Sequence, residues 1–285
     1  MKTLEAYKAL LEEYLDALAI PGAPDKLRDA MRYSLLAGGK RLRGCLLLAA
    51  ADFAGNGYEA ALPFAAALEM IHAYSLSHDV LPAMDNDTMR RGKPTNHMVF
   101  GEAMAILAGD ALLTFAFETM LNSGHPRSLP AIRDIARAAG VGGMLAGQTL
   151  DVTNEGAQPS IDLVHKIHEG KTAALLTAPL TAGLILGGAD EGLIEAGRKY
   201  GFHLGMAFQI VDDLLDLEGD PALMGKTLGK DAAEGKLTWP ACVGAQQAKK
   251  DAAYHIEEAC HTLAPYGNSA LFFTDLAVST LHRVQ

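Results

Sequence analysis

Cysteine is scarce in this sequence of 285 residues, and so is positive charge. The three cysteines, Cys45, Cys242 and Cys260, are far apart and form no Cys-x-x-Cys pair. That pattern argues against a disulfide framework or a zinc site and favours a reducing compartment. A net charge of −10 argues against a general nucleic-acid binder, which would present a basic surface. Local clusters of Lys and Arg can still bind an anionic substrate.

Long apolar runs, linkers and an N-terminal leader are also missing. The most apolar run, Ala173 to Gly188, has 16 residues and contains Pro179, so it is shorter than the roughly 20 residues that span a bilayer. Residues 1–18 carry four carboxylates instead of the basic start and apolar core of a signal peptide. No low-complexity block divides the chain. The sequence therefore predicts one domain over residues 1–285, a cytoplasmic location and no membrane-spanning segment.

Helical periodicity dominates what is present. Near the N-terminus, apolar residues recur at spacings of three and four, with carboxylates on the opposite side. Alanine-rich segments with few β-branched residues follow, and several exceed the usual helix length. These predicted helices cover Leu46–Phe53, Ala60–Leu76, Ala103–Leu121, Ala131–Leu150, Ile161–Leu186 and Ala189–Leu217. The predicted fold class is all-α, a single large helical bundle around a deep central cavity.

Two carboxylate clusters lie in different halves of the chain. The first contains Asp79 and Asp85, separated by Pro82, which disturbs helical hydrogen bonding. His72 and Ser75 precede Asp79 by seven and four residues, so all three should share one stripe of a helix. We expect Asp85, which follows the break, to curl back beside Asp79.

The second cluster contains Asp212 and Asp216, one helical turn apart, with Gln209 three residues before Asp212 on the same face. A short acidic motif is often only a solvated helix face. Apolar neighbours argue against that interpretation here, because carboxylates are seldom buried without partners or metals. Mg²⁺ is typically held by one or two carboxylates together with substrate phosphates, so two such pairs suit a diphosphate clamped between metal ions.

Short basic runs accompany the acidic clusters. One follows two glycines near the N-terminus, one follows the first acidic cluster, and one follows the second. Their members are Lys40, Arg41, Arg43, Arg90, Arg91, Lys93, Lys226, Lys230 and Lys236. Any one run alone would be read as solvated surface. In combination they suggest metal ions on one phosphate group and direct Arg and Lys contacts on another.

Together these residues resemble the trans-isoprenyl (polyprenyl) diphosphate synthase family, especially the bacterial farnesyl diphosphate synthases. The likeness runs from about Tyr33 to Pro240, and the motifs occur in the order that the family has. The matching motifs are Leu36–Arg43, Glu69–His97, Gly147–Asp151, Lys171–Thr172 and Phe208–Asp216.

The resemblance implies a role for each matching residue. Metal binding is implied for Asp79, Asp85, Asp212 and Asp216. Binding of isopentenyl diphosphate is implied for Lys40, Arg43, His72 and Arg91, with Gly39 in the same substrate-binding set. Contact with the allylic diphosphate or its developing cation is implied for Arg90, Lys171, Thr172, Gln209, Lys226 and Lys236. The implied catalytic residues are Asp79, Asp85, Lys171, Thr172, Gln209 and Asp212.

The resemblance also implies a reaction and a product. In such Mg²⁺-dependent transferases the allylic diphosphate ionises, isopentenyl diphosphate attacks the carbocation, and the released diphosphate takes the proton. Tyr74 and Ser75 lie about one helical turn before Asp79, where a bulky ring would limit the growing chain. An aromatic residue there indicates farnesyl diphosphate, with geranyl and geranylgeranyl diphosphate as open alternatives. Several Mg²⁺ ions and a homodimer are further implications.

Val80 departs from the family, which usually has a second aspartate at this position. Because the resemblance assigns direct metal contact to Asp79 and Asp85, we predict that activity persists, with weaker metal binding as an open alternative. Two alternatives are a catalytically silent regulatory subunit, which should lose the second acidic cluster or the substrate cations, and a terpene cyclase, which should lack Arg90 and Arg91. Gln148 and Asp151 have the simpler interpretation of an interhelical hydrogen-bonded pair.

Overall fold

The computed structural model describes residues 1–218 and 235–282 of the chain. Its first seven α-helices are α1 (Leu4–Ala17), α2 (Asp25–Leu35), α3 (Leu42–Phe53), α4 (Leu62–Asp79), α5 (Asn96–Phe100), α6 (Glu102–Leu121) and α7 (Ser128–Ala139). They are followed by α8 (Met144–Thr153), α9 (Ile161–His168), α10 (Ala174–Gly187), α11 (Glu191–Glu218), α12 (Trp239–Val243), α13 (Ala245–Leu263) and α14 (Leu271–Leu281). A hairpin of two short strands, β1 (Met89–Arg90) and β2 (Lys93–Pro94), lies in the loop between α4 and α5. The all-α prediction is confirmed.

Helix α10 is the centre of the bundle and packs against α3, α7 and α11. Small residues permit this close packing, because a Cβ added to Gly183 would lie 2.4 Å from the carbonyl oxygen of Leu47 on α3. Helix α4 is buried along most of its length between α3 and α6. The ends of these two central helices, α4 at its C-terminus and α10 at its N-terminus, position the site described below.

The segment predicted as one helix, Ala131–Leu150, is instead two helices, α7 and α8. The break lies at Gly140 to Gly143, where Gly143 has φ −128° and ψ −118°. A Cβ on Gly143 would lie 2.1 Å from the carbonyl oxygen of Ala138, so the chain can turn here only with a glycine. The prediction of one continuous helix was wrong. Three of the four residues 140–143 are glycines, and glycine lowers the stability of a helix, so the helix ends here.

The predicted helix Ile161–Leu186 is continuous, but its middle is not α-helical. Residues Glu169–Ala173 form a π-helical segment between α9 and α10. Such segments often occur at functional sites, because the wider turn changes which side chains face the same way. Here the segment carries Lys171 and Thr172.

Two helices are long and apolar enough to cross a membrane by length and composition, Glu102–Leu121 and the continuous helix Ile161–Gly187. In the second, 72% of the most apolar stretch of 18 residues is buried inside the protein, so it is a core helix. The first has only 33% buried, with Ile106, Leu107 and Leu121 exposed. Core helices of soluble proteins pass the same test, so the absence of a membrane span stays a prediction.

Candidate active site

Asp79 is the last residue of α4, three residues before Pro82, as expected for a helix that ends ahead of a proline. The loop then folds back: the backbone N–H of Asp85 donates to the carbonyl oxygen of Asp79 at 2.8 Å. Asn86 takes a left-handed conformation with φ 51°, which permits the tight return. The two carboxylates of the first cluster are therefore held side by side.

The carboxylate of Asp79 lies in a partly buried, polar environment. Gln148 Nε2 donates to Asp79 Oδ1 at 2.8 Å, and Arg90 NH1 lies 3.9 Å from Oδ2. Burial raises the pKa of Asp79, the cation of Lys171 opposes that shift, and the charge of Asp85 adds to it. A positive charge bound between the two aspartates would stabilise both carboxylates.

Asp79 lines a cavity of about 380 Å³ at the C-terminal end of α4. The predicted stripe of α4 faces this cavity, since His72 and Ser75 also line it. Tyr74 lines it too, with only 5% of its surface exposed. The opposite wall comes from α8, the π-helical segment and the start of α10, and it includes Met144, Leu145, Gln148, Lys171, Thr172 and Leu175. Polar and cationic groups thus share one cavity with an apolar, aromatic surface.

The π-helical segment supplies two polar side chains to the cavity wall. Lys171 Nζ donates to Asp151 Oδ2 at 2.6 Å, and Thr172 Oγ1 donates to Gln209 Oε1 at 2.5 Å. Asp151 therefore bonds Lys171, and Gln148 bonds Asp79. The interhelical hydrogen bonding predicted for Gln148 and Asp151 is therefore present, and each of the two bonds a predicted site residue.

A close contact between two glycines sets the distance from α8 to the π-helical segment. A Cβ on Gly147 would lie 2.0 Å from the backbone nitrogen of Lys171, and one on Gly170 would lie 2.8 Å from the backbone nitrogen of Gly147. Only hydrogen atoms fit between the two backbones. This contact brings Asp151 of α8 within hydrogen-bonding distance of Lys171.

Lys171 and Thr172 also line a second cavity, of about 80 Å³, together with Gln209, Asp213 and Lys236. Lys236 Nζ donates to Asp85 Oδ1 at 3.1 Å, which joins this cavity to the first cluster. Asp212 is half-buried and Asp216 is buried on α11. The structure therefore brings together, from distant parts of the sequence, residues predicted to surround the allylic diphosphate.

A cationic wall lies on the other side of Asp79. Arg43 NH1 lies 3.4 Å from His72 Nε2. Burial lowers the pKa of His72 well below its ordinary value, and the positive charge of Arg43 adds to that shift. Burial also lowers the pKa of Arg43, while the charges of Glu69 and Asp212 oppose that shift. Desolvated like charges of this kind are stabilised by an anion, so the wall suits a phosphate group.

A buried ion pair beneath this wall was not singled out from the sequence. Arg41 and Glu69 are 6% and 3% exposed, and Arg41 NH1 lies 3.5 Å from Glu69 Oε2. Glu69 Oε1 also accepts a hydrogen bond from the backbone of Gly44 at 3.0 Å. The available signal was one carboxylate in the apolar run of α4, since buried carboxylates are rarely unpaired. The pair fixes the start of α3, and with it Arg43.

Arg91 and the glycine loop before α3 are in direct contact. Arg91 NH1 donates to the carbonyl oxygen of Gly38, and a Cβ on Gly39 would lie 2.7 Å from the same nitrogen. Gly39 also has φ 123°, a conformation that favours glycine. Lys40 is exposed in the same loop. Lys226 lies outside the described residues, as does Lys230.

Val80 lines a different cavity from Asp79. It is 2% exposed, and its separate cavity of about 60 Å³ is lined by Ser34, Ser77 and Asn96 and also by the predicted substrate residues His72, Arg90 and Arg91. Adjacent residues at the end of a helix point about 100° apart, so position 80 is turned away from the carboxylate pair. A valine here removes no ligand from the first acidic cluster.

Comparison with known proteins identifies the family. A sequence model described as polyprenyl synthetase matches residues 24–264. The chain belongs to the polyprenyl synthetase family. It is 46% identical to a farnesyl diphosphate synthase of Geobacillus stearothermophilus over 90% of this chain and 86% of that protein. It is 42% identical to a geranylgeranyl diphosphate synthase of Cyanophora paradoxa over 93% of this chain and 90% of that one.

A solved structure supports the same family. The geranyltransferase of Helicobacter pylori, complexed with magnesium and isoprenyl diphosphate, superimposes with a TM-score of 0.85 at 29% identity. The match covers 98% of this chain and 95% of that one. The predicted resemblance is confirmed, and the chain is a transferase of the prenyltransferase class. The chain keeps the second acidic cluster and the substrate cations, which argues against a silent subunit, and Arg90 and Arg91 argue against a terpene cyclase.

Proposed function

We propose that this chain joins isopentenyl diphosphate to dimethylallyl or geranyl diphosphate and makes a short-chain trans-prenyl diphosphate, chiefly farnesyl diphosphate. The observation that carries the proposal is the cavity of about 380 Å³, which joins the carboxylate of Asp79 and the cations of Arg43 and Arg90 to the ring of Tyr74. A diphosphate suits the charged end, and a hydrocarbon chain suits the apolar end. Both relatives named above have short-chain prenyl diphosphates in their names, which supports the substrate class.

The donor set fits Mg²⁺. Asp79 and Asp85 offer hard oxygen ligands held side by side, and Asp212 and Asp216 offer a second pair on α11. Within residues 1–218 and 235–282, no group of three or more His, Cys, Asp or Glu could hold a metal ion by itself. Carboxylate pairs completed by phosphate oxygens are the usual Mg²⁺ arrangement. We therefore propose several Mg²⁺ ions between the two pairs, where they would neutralise the charge of the leaving diphosphate.

The remaining site residues divide between the two substrates. Arg43, His72 and Arg91 form the wall for isopentenyl diphosphate. His72 Nε2 lies 3.4 Å from Arg43 NH1, so the two side chains can contact the same phosphate group. Lys171 and Lys236, both in contact with aspartates in this structure, are placed to bind the allylic diphosphate. Lys40, Arg90 and Lys226 complete the proposed set from the family resemblance.

The proposed reaction balances without a protein nucleophile. The allylic C–O bond breaks, and its electron pair leaves with the diphosphate. The double bond of isopentenyl diphosphate then supplies the electrons of the new C–C bond. The resulting cation loses a proton to the released diphosphate, and a new double bond forms. Thr172 and Gln209 are the neutral polar groups beside the carbon that carries positive charge in this sequence of steps.

A homodimer is part of the proposal. Helix α6 exposes the apolar residues Ile106, Leu107 and Leu121, which a second copy of the chain would cover. Light scattering on the purified protein should give twice the mass of one chain, and Leu107→Glu should give a monomer. A wild-type monomer at micromolar concentration would contradict the dimer.

A cytoplasmic location is also part of the proposal. The three cysteines form no disulfide, which supports a reducing compartment.

The experiment that tests the proposed function is an assay with radiolabelled isopentenyl diphosphate and geranyl diphosphate, with and without Mg²⁺. We expect a Mg²⁺-dependent fifteen-carbon product. Asp79→Asn should lower kcat/KM by about a hundredfold or more, since it removes a charge that acts on the transition state. The matched control is Asp162→Asn, an exposed residue of α9, which should match the wild type. Folded wild-type protein that gives no product with any allylic substrate would contradict the proposal.

A further inference from the structure

The middle aspartate of the second cluster, Asp213, does not share the surroundings of its neighbour Asp212. It is 4% exposed, and its two carboxylate oxygens accept two hydrogen bonds and lie beside the ring of His168. Gln209 Nε2 donates to Oδ1 at 2.9 Å, and the backbone N–H of Trp239 donates to Oδ2 at 2.8 Å. His168 Nε2 lies 3.2 Å from the same Oδ2. Asp213 is therefore bound within the protein, one helical step away from the proposed metal face.

The hydrogen bond to Asp213 determines the orientation of the Gln209 amide, that is, the positions of its oxygen and its nitrogen. A carboxylate can only accept hydrogen bonds, so the amide NH₂ of Gln209 must face it. The amide oxygen must then face Thr172, 2.5 Å away. An amide oxygen also only accepts, so the hydroxyl of Thr172 must donate its hydrogen to Gln209. The orientation of both groups follows from one buried negative charge.

We propose that Asp213 is a positioning residue that holds the oxygen atoms of Gln209 and Thr172 toward the positive charge developing on the allylic carbon. The inference rests on the proposed function and extends it to a residue outside the proposed ligands and substrate contacts. With its hydrogen given to Gln209, Thr172 has only lone pairs left for the cavity of Asp79, which it lines. Oriented dipoles that need no rearrangement during the reaction stabilise a developing charge most effectively.

The other side of Asp213 is held rigidly, so the carboxylate has little freedom to rotate. The rings of His168 and Trp239 stack with centroids 5.6 Å apart, and Oδ2 accepts from the backbone N–H of Trp239 and lies 3.2 Å from His168 Nε2. Trp239 is anchored a second time, because its Nε1 donates to Asp251 Oδ2 at 2.8 Å. A buried network of this kind favours one arrangement over its alternatives.

Asp213→Asn tests the proposal with minimal change of shape. The oxygen of the new amide can replace Oδ2, keeping the bonds from His168 and Trp239, and its NH₂ then faces Gln209. Because two NH₂ groups repel, the Gln209 amide turns over and presents hydrogens to Thr172 and the cavity. We expect kcat to fall by about a hundredfold, the usual size of the loss when one oriented transition-state dipole is removed, with KM for both substrates changed less than about threefold.

The chain provides a matched control in Asp251→Asn. Asp251 also accepts from a glutamine four residues earlier in a helix, with Gln247 Nε2 at 2.8 Å, and it also bonds Trp239. It does not line the proposed active-site cavities. We expect its kcat to stay within about threefold of the wild type. An equal loss in both variants would show that the effect is structural and would overturn the proposal.

A double variant, Gln209→Glu with Asp213→Asn, exchanges the two groups. The carboxylate now stands at position 209, where it accepts from Thr172 on one side and from the new amide at position 213 on the other. We expect kcat to recover at least about tenfold over Asp213→Asn alone, although the charges have moved. No recovery, or a loss confined to KM, would overturn the proposal.

A readout independent of turnover separates this inference from the proposed function. In protein labelled with ¹⁵N-glutamine, the side-chain NH₂ of Gln209, assigned by its loss in Gln209→Glu, should exchange slowly with solvent. In Asp213→Asn its signal should shift or broaden, while that of Gln247 stays in place. If the wild type makes no product but the Gln209 signal behaves this way, only the proposed function fails. An unprotected Gln209 amide in the wild type would overturn the positioning role.

Discussion

Lys236 Nζ donates to Asp85 Oδ1 at 3.1 Å, although the two residues are 151 positions apart in the chain. Both side chains are mostly buried, with 14% and 15% of their surfaces exposed. The contact joins the segment before α12 to the loop after α4. We expect a substrate that binds at the first acidic cluster to lie near both residues.

Tyr74 is predicted to limit product length. It lines the cavity of Asp79 and lies edge-on to His78, with ring centroids 5.7 Å apart. Tyr74→Ala should therefore give longer products, read by chromatography after phosphatase treatment. Tyr74→Phe keeps the ring and should keep the product of the wild type. An unchanged distribution in folded Tyr74→Ala would mean that another residue forms the floor.

Gly147→Ala should destabilise the protein and misplace Lys171. The added methyl would lie 2.0 Å from the backbone nitrogen of Lys171, so the backbone must move. We expect the free energy of unfolding in urea to fall by about 1–3 kcal/mol or more, as for other overpacked sites. The control Gly142→Ala has no atom within 4 Å of its new Cβ and should change stability by less than about 1 kcal/mol. Equal stability of the two variants would contradict the tight contact.

Val80→Asp should not improve metal use, although it restores the residue that the family usually has. Position 80 faces the separate cavity with Ser34 and Asn96, away from the carboxylate of Asp79. The Mg²⁺ concentration for half-maximal activity should stay within about twofold of the wild type, whereas Asp79→Asn should raise it by about tenfold or more. A clear drop in the Mg²⁺ requirement of Val80→Asp would place this position in the metal site.

His255 should make folding sensitive to acid. Burial lowers its pKa from 6.5 to about 4, and the neighbouring His203 adds to the shift. In the unfolded chain His255 regains its ordinary pKa, so between pH 6.5 and about 4 the unfolded state binds the extra proton. This contribution to stability is therefore complete above pH 6.5 and is lost as the pH falls to about 4. Urea titrations at several pH values should show a weaker pH dependence in His255→Gln, and an unchanged dependence would contradict this.

The helices were largely predictable because their signal is local. Alanine-rich periodicity located α4, α6 and α11 to within a few residues. The break between α7 and α8 was missed, because glycines at Gly140 to Gly143 are compatible with either a weakened helix or a turn. The π-helical segment was also missed, since its extra residue leaves the hydrophobic pattern on either side intact.

The site was predictable where residue type and spacing carry the chemistry. The return of Asp85 to Asp79 followed from Pro82, and the stripe of His72 and Asp79 followed from helical spacing. The interhelical bonds of Gln148 and Asp151 were predicted, but their partners, Asp79 and Lys171, were not, because they are distant in the sequence. Contacts of that kind depend on packing, which a single sequence does not encode locally.

The π-helical segment Glu169–Ala173 has one further consequence. A π turn contains one residue more than an α turn, so the helices before and after it are out of phase by about 100° and 1.5 Å. Deleting a single residue there would restore a regular helix and rotate α9 relative to α10. His168 would then turn away from Asp213 while α10 kept its place against α3. One extra residue in this turn is thus enough to set the direction of His168 toward Asp213.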